Sequence, residues 1–424
     1  MRPKYYSGLF VFLVAAVVVS MAPGIGATST ASIPRELTWH EGLKIGTFPP
    51  PPPLLIRQIS DEQLWREAYE KQTGISYQRY TSASAVLKDF PGISEAVINE
   101  VGVHVEGRVE AIEQARGSLS AIGEKVTSTR STNGDKVRAS PLAALGTISW
   151  IPGGKITVDG GGSLGQCSTG WFFYRQVSTS VTHWYQATAA HCVYKPDNTP
   201  YLPNPAIVHD YQGPGPYWIP PGPVGNGLTS IPYYNWQTEQ AHCCTSPSYP
   251  QNGQRDYALM YLGTTSSPSI PGPGVTKTFW NYCGSGTPNC SHRLANGAVN
   301  QGGVWGPVVG RATPSTGAAV CKTGYQTGTS CGTYVGLEVG VTNPRAVIDG
   351  ALTGCVLNAQ GDSGAGWFTI DASGARAFGI ASGGAVQVYN TNCTLDSGAL
   401  KFDKAYVVLN TVIESTVAGV TLYA

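Results

Sequence analysis

Charge is scarce in this sequence. Asp, Glu, Lys and Arg together make up 12% of its 424 residues, and the formal net charge is +1. A chain this close to neutral lacks the excess of Lys and Arg that nucleic-acid binding and attraction to anionic membranes need. It also lacks the charged, helix-forming composition of a coiled coil. We therefore expect no nucleic-acid partner and no stable association with a membrane.

Long hydrophobic runs are almost missing as well. The one continuous apolar run, Leu9 to Val19, has 11 residues and follows Arg2 and Lys4. A membrane-spanning helix needs about 20 such residues, whereas a secretory signal peptide needs about this many. We predict a signal peptide over 1–27 and a secreted, extracellular protein; a single membrane anchor is the alternative.

Composition changes sharply near residue 146. Residues 28–146 hold 27 charged residues in 119 positions, whereas residues 147–424 hold 24 in 278 and all ten cysteines. The first segment has helical patterns over Asp61–Gln72, with Ser60 as a possible N-cap, and over Ile93–Val109 and Val109–Ile122. We interpret 28–146 as a mainly helical pro-segment and 147–424 as the functional domain. A small helical adaptor domain is the alternative for the first segment.

The second segment has the pattern of an all-β domain. Short runs rich in Val, Ile, Thr, Tyr and Phe are separated by clusters of Gly and Pro, of which the chain has 53 and 30. Candidate strands are Trp171–Arg175, His183–Thr188, Tyr257–Leu262, Tyr334–Val341 and Ala377–Ala381.

Ten cysteines in a secreted domain indicate disulfides. Cys321 and Cys331 enclose a Gly/Thr-rich turn, so we predict that they pair. His242–Cys244 with Cys283 and Cys290 could suggest a metal cluster, but the spacing fits no zinc pattern. We predict no metal and no cofactor, and the pairing of these four cysteines stays open.

Three local motifs carry possible chemistry. His191 follows Thr188-Ala189-Ala190 at a predicted strand end, and a histidine can take and return a proton near neutral pH. Asp256 opens an apolar strand, where a buried carboxylate needs a hydrogen-bond partner such as a histidine N–H. Ser363 lies in Gly361-Asp362-Ser363-Gly364, whose glycines would let the Gly361 and Ser363 amides point at one oxyanion.

Together these motifs resemble the chymotrypsin/trypsin family of serine endopeptidases. The order His, Asp, Ser is that family's order, with 65 residues from His191 to Asp256 and 107 from Asp256 to Ser363. Val320-Cys321-Lys322-Thr323-Gly324, a helix-like Ala405–Ser415 and a final strand near Gly419–Tyr423 are similar to the secreted bacterial, streptogrisin-like branch. The resemblance covers roughly residues 160–424. It implies two perpendicular six-stranded β-barrels with a C-terminal helix.

The resemblance also implies residue roles. Ser363 would be the nucleophile, His191 the general base and acid, and Asp256 the residue that holds His191 in the right tautomer. It implies the remaining positions too: an oxyanion hole at Gly361 and Ser363, a substrate-pairing strand at Ser382, Gly383 and Gly384, a specificity pocket near Thr353 and Gly354, and disulfides Cys167–Cys192 and Cys355–Cys393.

Some residues depart from the family pattern. Ala365 stands where the family usually has glycine, and seven residues separate Cys355 from Ser363. The pocket has no acidic residue, which disfavours Lys or Arg at the cleaved bond and favours a small or apolar side chain. Ile156-Thr157-Val158 only weakly matches the new amino terminus of the animal enzymes.

We therefore expect a monomeric serine endopeptidase that acts on protein or peptide substrates and is made with its own pro-segment as partner. A catalytically inactive, protease-like binding module is the main alternative, and an esterase is another.

Overall fold

The computed structural model describes residues 57, 59–130, 152–159, 164–192, 207–210, 230–231, 256–269, 278–281, 304–324, 326–341, 343–353, 356–371, 373–388 and 399–424. All of them belong to one compact unit, Ile45–Ala424. The predicted signal peptide, 1–27, lies outside the described residues. No helix among the described residues is both long and apolar enough to cross a membrane.

The segment 57–130 mixes helices and strands. A helical stretch begins after Ser60, whose side chain accepts a hydrogen bond from the Gln63 amide as predicted, and its middle part is a π-helix. The helical parts are α1 (Asp61–Leu64), the π-helix (Trp65–Glu70), α2 (Lys71–Thr73), α3 (Tyr77–Leu87) and α4 (Val109–Ala121), and the strands are β1 (Ile93–Ile98), β2 (Val103–Gly107) and β3 (Val126–Arg130).

The predicted helix over Ile93–Val109 was wrong, because this range forms the hairpin of β1 and β2. In β2, Val103 and Val105 are buried, whereas His104 and Glu106 between them are less so. That alternation has the two-residue period of a strand with one face on a core. The segment is therefore an α/β unit rather than a mainly helical one.

The described residues from 152 onward are mainly β, as predicted. Their strands are β4 (Lys155–Asp159), β5 (Leu164–Ser168), β6 (Phe172–Ser178), β7 (Val181–Thr188), β8 (Ile207–Asp210), β9 (Ser230–Ile231), β10 (Ala258–Thr265), β11 (Thr278–Asn281), β12 (Val304–Arg311), β13 (Ala319–Gly324), β14 (Gly328–Glu338), β15 (Ala346–Thr353), β16 (Asn358–Ala359), β17 (Gly366–Asp371), β18 (Gly374–Gln387), β19 (Lys401–Leu409) and β20 (Val420–Leu422).

Six of these strands close into a barrel. The pairs run β13–β14–β15–β19–β18–β17 and return to β13, all antiparallel. Two further sheets have four strands each, in the orders β10-β7-β6-β20 and β5-β4-β8-β9. Among the described residues there is therefore one closed barrel, together with these two open sheets.

The C-terminal helix begins later than predicted. Residues 405–409 continue β19, and the helix α5 covers Asn410–Thr416 before the final strand β20. The run Tyr406-Val407-Val408-Leu409 is buried at every position, and its tyrosine and β-branched valines favour a strand over a helix. Strand β20 pairs with β6 and forms one edge of the sheet that also contains β7.

Segment 57–130 is joined to the barrel through its sheet. Strand β1 pairs with the end of β14, with Val97 opposite Glu338 and Ile98 opposite Leu337, so β1, β2 and β3 extend the barrel's sheet. The buried Gln72 side chain donates to the carbonyl oxygens of Phe378 (2.8 Å) and Ala312 (3.1 Å). The segment and the barrel thus share both backbone pairing and a buried interface.

Candidate active site

His191 and Asp256 are brought together by one pair of strands. Strand β7 ends at Thr188 and runs into a short 3₁₀ turn, Ala190–Cys192, that presents His191. Asp256 lies just before β10, and β10 pairs with β7 so that Ala258 lies opposite Thr188. The end of one strand and the start of its neighbour therefore place the two side chains side by side.

The Asp256 carboxylate is buried and fully engaged. Its residue is 1% exposed, and it accepts from His191 Nδ1 at 2.9 Å and from the His191 backbone amide at 3.0 Å. The Ser382 hydroxyl donates to the same carboxylate at 2.7 Å. A carboxylate can only accept, so it holds the imidazole with a proton on Nδ1. This leaves Nε2 as the ring nitrogen that can take a proton.

Ser363 lies in a tight turn that is tied to the His191 turn. The Ser168 amide donates to the Ser363 carbonyl (2.8 Å), and the Ser168 hydroxyl donates to the Gly361 carbonyl (2.9 Å). The neighbouring Cys167 forms a disulfide with Cys192, the residue after His191. Strand β5 thus connects the loop of the candidate nucleophile to the turn of the candidate base.

Gly364 is required by both its backbone and its surroundings. Its φ is +87°, and a Cβ there would lie 2.3 Å from both the Ser168 carbonyl oxygen and the Thr188 hydroxyl. The next residue, Ala365, is fully buried, and its amide and carbonyl make backbone hydrogen bonds to Asp362 and Ala381. The methyl group that departs from the family pattern is therefore packed in the core.

The amides of Gly361 and Ser363 are the predicted oxyanion hole. Gly361 has φ +102°, a value that L-residues with a side chain seldom adopt. Among the described residues, neither amide donates a hydrogen bond to a backbone or side-chain acceptor. An oxyanion hole requires N–H groups that are not engaged by protein acceptors, and these two amides meet that requirement among the described residues.

A buried ion pair between Lys322 and Asp362 anchors the turn that contains Ser363. Lys322 Nζ donates to Asp362 Oδ2 at 2.7 Å, and both side chains are 0% exposed. Asp362 also accepts from the Gln326, Thr327 and Ala359 amides and from the Thr327 hydroxyl. Burial lowers the pKa of the Lys322 ammonium, and the Asp362 charge opposes that shift. Sequence reasoning missed Lys322, although a lysine inside a predicted core strand was a usable signal.

The arrangement around Asp362 leaves no need for a new amino terminus there. Its carboxylate has donors from five groups, and one of them already carries a positive charge. Ile156, the weak match to such a terminus, lies inside β4 and pairs with Cys167 of β5. The Ile156 backbone is therefore hydrogen-bonded within the sheet of β4 and β5.

The predicted substrate-pairing residues lie in β18. Gly383 and Gly384 pair with Tyr406 and Ala405 of β19, and the Ser382 side chain faces Asp256. The stretch before Ser363 includes β16, which pairs with β19. In β16, the side-chain amide of Asn358 donates a hydrogen bond to the Gly383 carbonyl at 2.9 Å. Thr353 ends β15, opposite Cys331; Gly354 lies outside the described residues.

Two predicted disulfides are present. Cys167–Cys192 links β5 to the His191 turn, and Cys321–Cys331 joins β13 to β14. The predicted Cys355–Cys393 pair and the four cysteines of open pairing lie outside the described residues. The Cys167, His191 and Cys192 side chains lie close together, but the two sulfurs are bonded to each other, which explains their proximity without a metal.

Comparison with known proteins finds similarity to bacterial serine proteases. The chain is 39% identical to Streptogrisin-C of Streptomyces griseus over 77 residues, which are 18% of this chain and 16% of that protein. The match thus spans about a sixth of its length. The resemblance to streptogrisin-like serine proteases of the chymotrypsin/trypsin family is confirmed at this level. No protein-family profile matches the chain.

Solved structures with a similar chain path include three bacterial enzymes. Thermobifida fusca protease A is 18% identical with a TM-score of 0.31, over 65% of this chain and 98% of that one. Nocardiopsis protease is 17% identical (TM-score 0.32; 65% and 98%), and Cellulomonas bogoriensis chymotrypsin is 20% identical (TM-score 0.30; 64% and 97%). Because these TM-scores are low, the fold is assigned from the strand order of the closed barrel and not from the superpositions.

Proposed function

We propose that the protein is a secreted serine endopeptidase that hydrolyses peptide bonds through an acyl-enzyme. The observation that carries the proposal is the Asp256 carboxylate, which is buried and holds His191 Nδ1 at 2.9 Å in the chain order His, Asp, Ser. Burial of this carboxylate is compensated by its donors, and a buried acid paired with a histidine is a common arrangement in active sites.

In the proposed reaction, Ser363 Oγ attacks the peptide carbonyl while His191 Nε2 takes the serine proton. His191 then returns that proton to the leaving amine, and a water molecule hydrolyses the acyl-enzyme by the same route. Asp256 stabilises the imidazolium in both halves. The amides of Gly361 and Ser363 stabilise the oxyanion, an interaction worth about 3–4 kcal/mol per donor.

The substrate would bind as an added strand. Ser382, Gly383 and Gly384 form a backbone edge beside Asp256, and an extended peptide gains main-chain hydrogen bonds along such an edge. The two glycines leave that edge free of side chains. A protein or peptide in extended form is therefore the substrate class that we propose, with a small or apolar residue at the cleaved bond.

Residues 28–146 would act as a pro-segment that is removed after secretion. In support, β1 extends the barrel sheet at β14 and Gln72 is buried against the barrel. We place the cleavage between about Arg138 and Lys155, after the last strand of the segment and at or before the start of β4. The mature enzyme would be a monomer.

The test is hydrolysis of casein by the purified secreted protein and by its Ser363→Ala variant. We expect proteolysis by the wild type and none by the variant, with both chains folded. Equal proteolysis by the two proteins would overturn the proposal. Absence of proteolysis by a processed, folded wild type would instead favour the inactive binding module.

A further inference from the structure

A largely buried arginine, Arg345, contacts Ser382 next to the candidate triad. Arg345 stands just before β15, and its guanidinium forms a two-pronged ion pair with Glu338 at the end of β14, with N–O distances of 2.7 and 2.8 Å. The two side chains are 12% and 9% exposed. The guanidinium carbon also lies 4.2 Å from the centre of the Tyr406 ring. Three contacts thus fix the plane of the arginine.

The third nitrogen of that guanidinium points toward the triad. Arg345 Nη1 lies 3.4 Å from Ser382 Oγ, which lies 2.7 Å from Asp256 Oδ2. A guanidinium can only donate and a carboxylate can only accept. The Ser382 hydroxyl must therefore accept from Arg345 and donate to Asp256. Arg345 sets the direction of the hydroxyl, and the hydroxyl helps to set the carboxylate that holds His191.

We propose that Arg345, oriented by Glu338, is a positioning residue that acts on Asp256 through Ser382. The inference rests on the proposed function and extends it by naming a part of the machinery that lies behind the substrate-pairing strand. Nothing in the sequence pattern singles out Arg345, because it lies in a turn between two strands. Its role follows from the chain of contacts Glu338–Arg345–Ser382–Asp256–His191.

The charges around this chain of contacts determine the design of the test. Arg345 faces Glu338, Tyr406 and Asp256, and Tyr406 in turn faces Glu95 of β1. Removing Arg345 alone would leave the Glu338 charge buried near Asp256, and this net negative charge favours protonated His191. Removing Arg345 and Glu338 together leaves the net charge unchanged. The two variants therefore separate the electrostatic effect from the loss of positioning.

The experiment compares Arg345→Met, Arg345→Met/Glu338→Leu and wild type by kcat, KM and pH profile on a chromogenic peptide. Active sites are counted with a fluorophosphonate, so unfolded chains do not enter kcat. We expect kcat to fall roughly 10-fold, or about 1.4 kcal/mol, in both variants, with KM little changed. The acid limb should move to higher pH in the single variant and return in the double variant.

Two further comparisons make the result decisive. Arg311→Met/Glu414→Leu removes a partly buried ion pair of the same domain that has no contact with Ser382, and it should leave kcat and the pH profile unchanged. Ser382→Ala should lower kcat by itself. In the Ser382→Ala background, Arg345→Met/Glu338→Leu should cause no further fall in kcat. Additive effects, or wild-type kcat in both Arg345 variants, would overturn the inference while the protease function stands. A wild type with no labelling and no hydrolysis would overturn the proposed function itself.

Discussion

Lys322 Nζ lies 2.7 Å from Asp362 Oδ2 in a place where neither side chain reaches solvent. The acid precedes the candidate nucleophile, and the lysine comes from β13 of the closed barrel. The pair therefore couples the geometry of the Ser363 turn to the barrel core from within the folded chain. A free amino terminus is not needed to hold Asp362.

The first prediction concerns this pair. Lys322→Met leaves the Asp362 charge buried without its cation, so we expect a loss of about 3–5 kcal/mol in the free energy of unfolding. Reactivity of Ser363 should fall as well, because the turn loses its anchor. Urea denaturation and fluorophosphonate labelling measure the two effects. The control is Arg376→Met, which breaks an exposed pair with Asp371 and should cost about 1 kcal/mol or less. Equal costs for the two variants would contradict the account.

The second prediction concerns Asp256. Asp256→Asn keeps the shape of the side chain but can present a donor to His191 Nδ1, which favours the wrong tautomer. We expect a folded protein whose kcat is lower by about 10⁴-fold, as for the same change in a well-characterised triad. The measurement is peptide hydrolysis at saturating substrate. The exposed Asp371→Asn is the control and should leave kcat unchanged. A loss below about 10-fold at Asp256 would show that this acid does not serve His191.

The third prediction concerns the close approach at Gly364. Gly364→Ala forces a methyl against the Ser168 carbonyl and the Thr188 hydroxyl, and it also carries the cost of a positive φ. Gly317→Ala carries only the cost of the positive φ, because φ there is +85° and nothing lies within 4 Å of the added Cβ. We expect Gly364→Ala to cost about 1–3 kcal/mol more than Gly317→Ala in urea denaturation. Similar costs would mean that the Ser363 turn has more room than the structure gives it.

The fourth prediction concerns acid stability of the interface between segment 57–130 and the barrel. The pKa of Glu106 is lowered to about 2, chiefly by His104, whose Nε2 lies 3.7 Å from the carboxylate, and also by Lys404. A carboxyl whose folded pKa lies below its unfolded value of about 4.5 stabilises the fold above pH 4.5, and this stabilisation is lost as the pH falls toward 2.

Thermal unfolding of the full-length Ser363→Ala chain should show this loss over that pH range. Glu106→Gln removes the titrating group, so its melting temperature should be lower than that of the parent at pH 6 and should approach it at pH 2.5. Parallel curves for Glu106→Gln and the parent would contradict the prediction.

The all-β class could be predicted from local patterns, whereas the roles of His191, Asp256 and Ser363 were predicted from the family resemblance of their three motifs taken together. Strand alternation, a histidine after small residues and a serine between glycines are visible in a few consecutive residues. The helix assigned to Ile93–Val109 failed for a related reason. Its apolar residues suit a helix face as well as a strand pair, and the choice depends on pairing with β14, which the local pattern does not contain.

The contacts that orient the site could not be predicted, because they join residues far apart in the chain. Lys322 lies 40 residues from Asp362, and Ser382 lies 126 residues from Asp256. Arg345 reaches Ser382 across the barrel sheet, from a turn with no motif of its own. Long-range pairing of this kind follows from strand order, and strand order requires the three-dimensional structure.

The most direct test of the account is the reaction of the purified, processed protein with a fluorophosphonate, followed by peptide mapping of the adduct. The account predicts one covalent adduct, on Ser363, that is lost in the Asp256→Asn and His191→Ala variants although both remain folded. An unlabelled Ser363 in a folded, processed wild-type chain, or labelling that persists without His191, would contradict the assignment of His191, Asp256 and Ser363 as a working triad.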